Sequence, residues 1–151
     1  MSHSFTKIWM HIVFATHQRR PLITKKVEPF LHRHLGHLLK EIGCIPLAIN
    51  GMEDHIHVLV LMNPGKSVSE IVKYMKGNSS HTINQSDLCG IKFAWQTGYG
   101  AFSVSESAVR KVQQYILNQK QHHSERSSLE EFEKIVEVHK LEINDQSELI
   151  P

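Results

Sequence analysis

Seven consecutive residues, His55 to Leu61 (HIHVLVL), are apolar at every position except two histidines. Side chains alternate between the two faces of a strand, so Ile56, Val58 and Val60 take one face and His55, His57, Leu59 and Leu61 take the other. A strand apolar on both faces belongs in the middle of a sheet that is covered on both sides. Two imidazoles buried there without partners would cost several kcal/mol, by order of magnitude. They therefore call for backbone, carboxylate or metal partners.

The flanking sequence supplies a sheet for this strand. Lys7 to Thr16 reads as a strand, closed by the polar, basic Gln18, Arg19, Arg20 and Pro21. Leu31, Leu35, Leu38, Leu39 and Ile42 form one apolar stripe that predicts a helix from about Val27 to Ile42, with Gly43 as its stop. Ile45 to Asn50 reads as a short strand, and Asn50-Gly51 as the turn of a hairpin into His55–Leu61. Val68, Ile71, Val72 and Met75 predict a second helix ending near Gly77 or the serines after it. Phe93 to Val104 reads as a strand bent around Gly98 and Gly100. Ser105 then opens a third helix, roughly 106–121, with Val109, Val112 and Ile116 inward, and a last helix is expected near Leu129 to His139. The first six elements run β, α, β, β, α, β. That is the split βαβ order of ferredoxin-like, RRM-like α+β folds, an antiparallel sheet with helices on one face, here followed by C-terminal helices. Such folds host many functions, so the site must decide.

A chain of 151 residues suits one domain, expected over 1–126, with 127–151 as an acidic helix and tail of the same domain. Residues 1–126 carry 15 Lys and Arg against 8 Asp and Glu, whereas 127–151 carry 2 against 7. A basic body suits a polyanionic partner, and an acidic tail can limit indiscriminate binding. The longest early apolar run, Ile8 to Ala15, is broken by His11 and is too short to cross a membrane or serve as a signal peptide. A soluble cytoplasmic protein without a membrane partner is expected. Cys44 and Cys89 are far apart and read as reduced packing residues.

With 12 histidines in the chain, a His-x-His pair arises about once by chance, so the spacing alone is weak. His32 and His34 form a second such pair, but on a helix that spacing points them apart, and they read as solvated. On a strand, two residues rise only about 6.6 Å, so His55 and His57 can lean toward one ion; they can equally be core histidines bonded to nearby groups. On the third helix, Lys111, Tyr115, Gln119 and His122 fall in one sector beside the apolar stripe. A phenol with a pKa of about 10 is a poor nucleophile unless a cation or base assists it. Gln119 could place an amide oxygen on the same ion, or Tyr115 and Gln119 could be an ordinary stripe edge.

Three segments, GMEDHIHVLV at 51–60, FAWQTGYGAFSVS at 93–105 and YILNQKQHH at 115–123, resemble in order and separation the single-tyrosine HUH-class transposases of the insertion sequence 200-like family. The resemblance runs from about Ser4 to His123 and implies a metal site of His55, His57 and Gln119, with Tyr115 as nucleophile. It further implies Mg²⁺ or Mn²⁺, which polarises a scissile phosphate, and a 5′-phosphotyrosine intermediate whose reversal needs no ATP. Single-stranded DNA with hairpin ends and a homodimer are the implied partners. Asp54 would orient the site or simply cap a turn.

Lys73, Lys76, Arg110 and Lys111 are candidate phosphate contacts, each also readable as a solvated lysine or arginine. Trp95 and Tyr99 could stack on bases or pack beside the glycine turn. His122 and His123 could touch metal or phosphate, or simply favour the end of a helix. Two rival functions remain: a ferredoxin-like module that binds nucleic acid without cutting it, and a hydrolase with a His-rich zinc site. The second is weakened by the lack of Cys or paired carboxylates near His55 and His57.

Overall fold

The computed structural model describes residues 3–121 together with Lys134, Ile135, Glu137 and His139. Four strands, β1 (Trp9–Ala15), β2 (Ile45–Met52), β3 (His55–Leu61) and β4 (Gly100–Val104), form one sheet in the order β2-β3-β1-β4. Every pairing is antiparallel. Helices α1 (Val27–Glu41) and α2 (Val68–Gln85) connect the strands, and α3 (Val109–Leu117) follows a single 3-10 turn after β4. This is the ferredoxin-like α+β fold, with β3 and β1 as its central strands.

The two faces of β3 serve two cores. Ile56, Val58 and Val60 pack with Ile12 and Phe14 of β1 against the stripes of α1 and α2, including Leu31, Leu35, Ile71 and Met75. Leu59 packs on the opposite face with Trp9, Val104, Val109, Val112, Tyr115 and Ile116. Burying each large aliphatic side chain contributes about 1.5–3 kcal/mol, enough to seat the short α3 on the sheet. The face that carries the two histidines is therefore the face covered by α3.

Local signals explain most boundaries. Gly43 takes a left-handed φ of 78° just past α1, a conformation that favours glycine. Ser67 and Glu70 form a reciprocal capping box that starts α2: the Ser67 hydroxyl accepts from the Glu70 N–H, and the Glu70 carboxylate accepts from the Ser67 N–H.

Four expectations need correction. The hairpin turn is Glu53-Asp54, not Asn50-Gly51, because both of the latter are paired within β2, opposite His57 and Ile56. The turn is held by tertiary bonds: Thr16 N–H donates to the Asp54 carbonyl (2.9 Å) and Ile23 N–H to the Glu53 carbonyl (2.9 Å). Helix α2 continues through Gly77 to Gln85, because Ser79 and Ile83 are buried and the Ser80 hydroxyl bonds back to the Lys76 carbonyl (2.9 Å). The strand expected over Phe93–Val104 is regular only from Gly100; upstream, Trp95 makes a lone bridge to Thr16. The tyrosine helix is interrupted at Asn118, which closes α3 with a bond from its N–H to the Gln114 carbonyl, and residues 119–121 are helical again. The linker from His122 and most of the expected helix at Leu129–His139 lie outside the described residues. Among the described residues, no helix is long and apolar enough to cross a membrane.

Candidate active site

His55 and His57 project from β3 toward α3, with ring centroids 5.0 Å apart. Tyr115 arrives from α3, its ring 5.7 Å from His57 and perpendicular to it. Gln119 follows from the next turn and sets its side-chain oxygen 3.3 Å from His55 Nε2. The four candidates thus converge within one chain. All are buried: Tyr115 is 5% exposed, His55 3%, and His57 and Gln119 not at all.

What brings α3 here is the edge strand. Asn50 donates from its amide nitrogen to the carbonyls of Ile116 and Leu117 (both 3.1 Å), satisfying two carbonyls that the end of a helix leaves open. Lys120 donates to the Asn50 side-chain oxygen (3.1 Å) and pairs with Glu28 (2.6 Å). Asn50, read from sequence as half of a turn, is a clamp on the tyrosine helix.

Behind His55 lies Asp54, whose carboxylate accepts from His55 Nδ1 at 2.7 Å and pairs with Arg19 at 3.3 Å. Burial raises the Asp54 carboxyl, but the hydrogen bond and charge of His55, joined by Arg19, outweigh it and bring the pKa down to about 2. Asp54 thus both forms the turn and orients the site. With its Nδ1 proton given to Asp54, His55 turns the lone pair of Nε2 toward Gln119. A half-turn of the Gln119 amide would let its NH2 donate to that lone pair, whereas with the oxygen facing His55 the two acceptor atoms suit a shared cation. The donor set suits a divalent ion: two neutral imidazole nitrogens and an amide oxygen. Among the described residues, no cluster of three or more His, Cys, Asp or Glu could hold a metal.

Behind His57 lies a residue that sequence reasoning passed over. His11 of β1 is fully buried and places Nε2 2.8 Å from His57 Nδ1. Its own Nδ1 is 2.6 Å from Nε2 of His139, whose ring stacks on Phe102 with centroids 4.6 Å apart. Burial lowers the His139 pKa to about 4, so this imidazole is neutral near pH 7. The signal for His11 was present: it breaks an apolar strand, as His55 and His57 do.

The sequence profile of the family Transposase IS200 like matches residues 4–119. The chain belongs to the IS200-like transposases. It is similar to the ISDra2 transposase TnpA of Deinococcus radiodurans, at 25% identity over 115 residues, covering 72% of this chain and 81% of that one. A crystal structure of a chain from Deinococcus radiodurans R1, assigned as a transposase, aligns with a TM-score of 0.61 and 26% identity over 79% of this chain and 95% of that one. A REP-associated tyrosine transposase bound to a REP hairpin shares the fold, with a TM-score of 0.59 and 18% identity over 82% of this chain and 74% of that one.

Of the remaining candidates of this transposase, Lys73, Lys76 and Trp95 lie away from the cluster. Lys73 and Lys76 sit on α2, which covers the opposite face of the sheet, beside a cleft of about 320 Å³ shared with Tyr99 and Gly98. Lys73 is exposed, whereas Lys76 donates to the carbonyls of Gln96 (2.6 Å) and Gly98 (2.9 Å), and burial lowers its pKa. Trp95 packs edge-on against Phe14 and Phe93 and donates to the Ser79 hydroxyl (2.9 Å), so its ring is engaged with the core. Arg110 and Lys111 are exposed at the start of α3, on the tyrosine's side of the sheet. His122 and His123 lie outside the described residues.

Proposed function

We propose that this transposase cuts and rejoins single-stranded DNA through a 5′-phosphotyrosine on Tyr115, beside Mg²⁺ or Mn²⁺ held by His55, His57 and Gln119. The observation that carries the reading is the convergence of an imidazole pair, an amide oxygen and a phenol in one buried cluster. Those groups come from two separate elements, β3 and the α3 region; Asp54 and His11 back the two imidazoles, and Asn50 holds the end of α3.

In the forward step the Tyr115 oxygen forms a bond to phosphorus as the bond from phosphorus to the 3′ oxygen breaks. The phenolic proton is given up, and the departing 3′ oxygen takes one. One phosphodiester replaces another, so a 3′ hydroxyl on a different strand can run the step backwards. A bound divalent ion would supply Lewis-acid polarisation of the scissile phosphate. His55 and Gln119 hold their donor atoms toward one point, Asp54 keeps His55 in the required tautomer, and Asn50 with Lys120 keeps the tyrosine helix in reach. A hairpin-bearing single strand is the proposed substrate and a homodimer the proposed assembly, in keeping with the family and with the hairpin bound by one structural neighbour.

The test uses the full chain and a single-stranded oligonucleotide spanning the DNA that flanks its gene, labelled at the 3′ end. A denaturant-resistant protein–DNA adduct should form with Mg²⁺ or Mn²⁺, fail with EDTA, and be absent in Tyr115→Phe. Cleavage that leaves a free 5′ phosphate and no adduct would point to a water nucleophile. Equal binding by the parent and Tyr115→Phe, with no cutting by either, would point to a binding module.

A further inference from the structure

His57 is held from behind by an imidazole rather than by the carboxylate that serves His55. The nitrogens of three rings line up: His57 Nδ1 with His11 Nε2 at 2.8 Å, and His11 Nδ1 with His139 Nε2 at 2.6 Å. The His11 and His57 rings are also stacked, with centroids 5.1 Å apart and 27° between planes. Between neutral imidazoles each gap holds one proton, so the protons of the chain all point one way or all the other. In one arrangement His57 Nδ1–H donates to His11, His11 Nδ1–H donates to His139, and His57 Nε2 keeps its lone pair. In the other, His139 Nε2–H donates to His11, His11 Nε2–H donates to His57, and the proton of His57 sits on Nε2, where an ion would have to bind.

We propose that His11 is a positioning residue of the site, holding His57 in the Nδ1–H tautomer with His139 as terminal acceptor of the relay. The proposal rests on the reading of His57 as a metal ligand. It gives the C-terminal segment, through His139, a part in preparing a site otherwise built from β3 and the α3 region. An imidazole can take either role in a hydrogen bond, whereas a carboxylate only accepts.

The test has two readouts on the full-length protein. Long-range proton–nitrogen correlation spectra of metal-free, ¹⁵N-histidine-labelled protein, with His57→Ala for assignment, read the tautomer directly. Calorimetry with Mn²⁺ alone reads the affinity. The parent should show His57 protonated on Nδ1. His11→Leu should lose that preference and bind Mn²⁺ about 10- to 100-fold more weakly, the usual cost of removing a group that orients a ligand. His11→Gln, whose amide oxygen can still accept, should restore affinity to within about threefold of the parent. His139→Leu, which removes only the terminal acceptor, should shift both readouts the same way by less, and it keeps the idea testable if His11→Leu does not fold. His57 protonated on Nε2 in the parent, or a folded His11→Leu with parental tautomer and affinity, would overturn the proposal. A parent with the expected tautomer but no affinity for Mn²⁺ would remove the proposed metal site and leave the assignment of His11 standing.

Discussion

Replacing Gly51 by alanine asks the β2–β3 hairpin to accept one methyl group where there is no room. A Cβ at position 51 would lie 2.1 Å from the His55 carbonyl oxygen and 2.9 Å from Ile56 Cα, both of them backbone atoms that cannot rotate away. Reaching even 3.0 Å from that oxygen means parting the strands by about 0.9 Å. Overpacking of this kind costs about 1–3 kcal/mol, and weakening the ladder bonds beside it about 1 kcal/mol more, against which alanine recovers roughly 0.5 kcal/mol of backbone entropy. A net loss of roughly 1.5–3.5 kcal/mol lowers the melting temperature of a domain this size by roughly 3–14 °C. The atom displaced belongs to His55, so the damage should not stop at stability: a misplacement near 1 Å costs on the order of 100-fold in rate. Urea and thermal unfolding followed by circular dichroism, together with the rate of adduct formation on single-stranded DNA, measure both effects. A Gly51→Ala protein within 1 kcal/mol of the parent and equally active would show that the close approach at Gly51 neither defines the hairpin nor places His55.

Asn50→Ala removes both bonds to the end of α3 and one of the partners of Lys120, so stability should fall by about 2 kcal/mol and adduct formation by more than the fall in folded fraction explains; equal losses in the two assays would deny the clamp. Asp54, whose folded pKa of about 2 lies below its ordinary value of 3.8, contributes about 2 kcal/mol that is present above pH 4 and lost as pH falls toward 2. Asp54→Asn should therefore flatten the acid limb of the stability profile between pH 4 and 2, and an unchanged limb would contradict the bond to His55. If Lys73 meets a phosphate, Lys73→Ala should reduce the slope of log affinity against log salt by about 0.7 for single-stranded DNA; an unchanged slope would leave it a solvated lysine.

The sequence shows the sheet best where hydrophobic period and element length agree. The nearly unbroken apolar run of His55–Leu61 places that strand centrally, its side-chain alternation assigns the two faces, and the leucine stripe marks α1 to within one residue. The hairpin turn was hidden because Asn50-Gly51 is a strong local turn signal put to a tertiary use. Asn50 clamps a helix 66 residues away, and Gly51 admits a neighbouring backbone. Glu53 and Asp54, the true turn, have ordinary negative φ angles, so no residue type marks them. Gly77 did not end α2 because long-range burial of Ser79 and Ile83 outweighs its modest helix penalty. For the site, spacing brought His55 with His57 and Tyr115 with Gln119, but the partners behind them were harder to see. His11 lies 46 residues from His57 and His139 lies 128 from His11, separations that no periodic pattern links.

The most direct test of a common ion between the paired imidazoles, the amide and the phenol is an anomalous-difference map from crystals of the full chain grown with Mn²⁺. The account predicts one strong peak about 2 Å from His55 Nε2, His57 Nε2 and Gln119 Oε1, on the side facing Tyr115. A map with no peak at these three atoms, or with manganese bound only elsewhere, would contradict it.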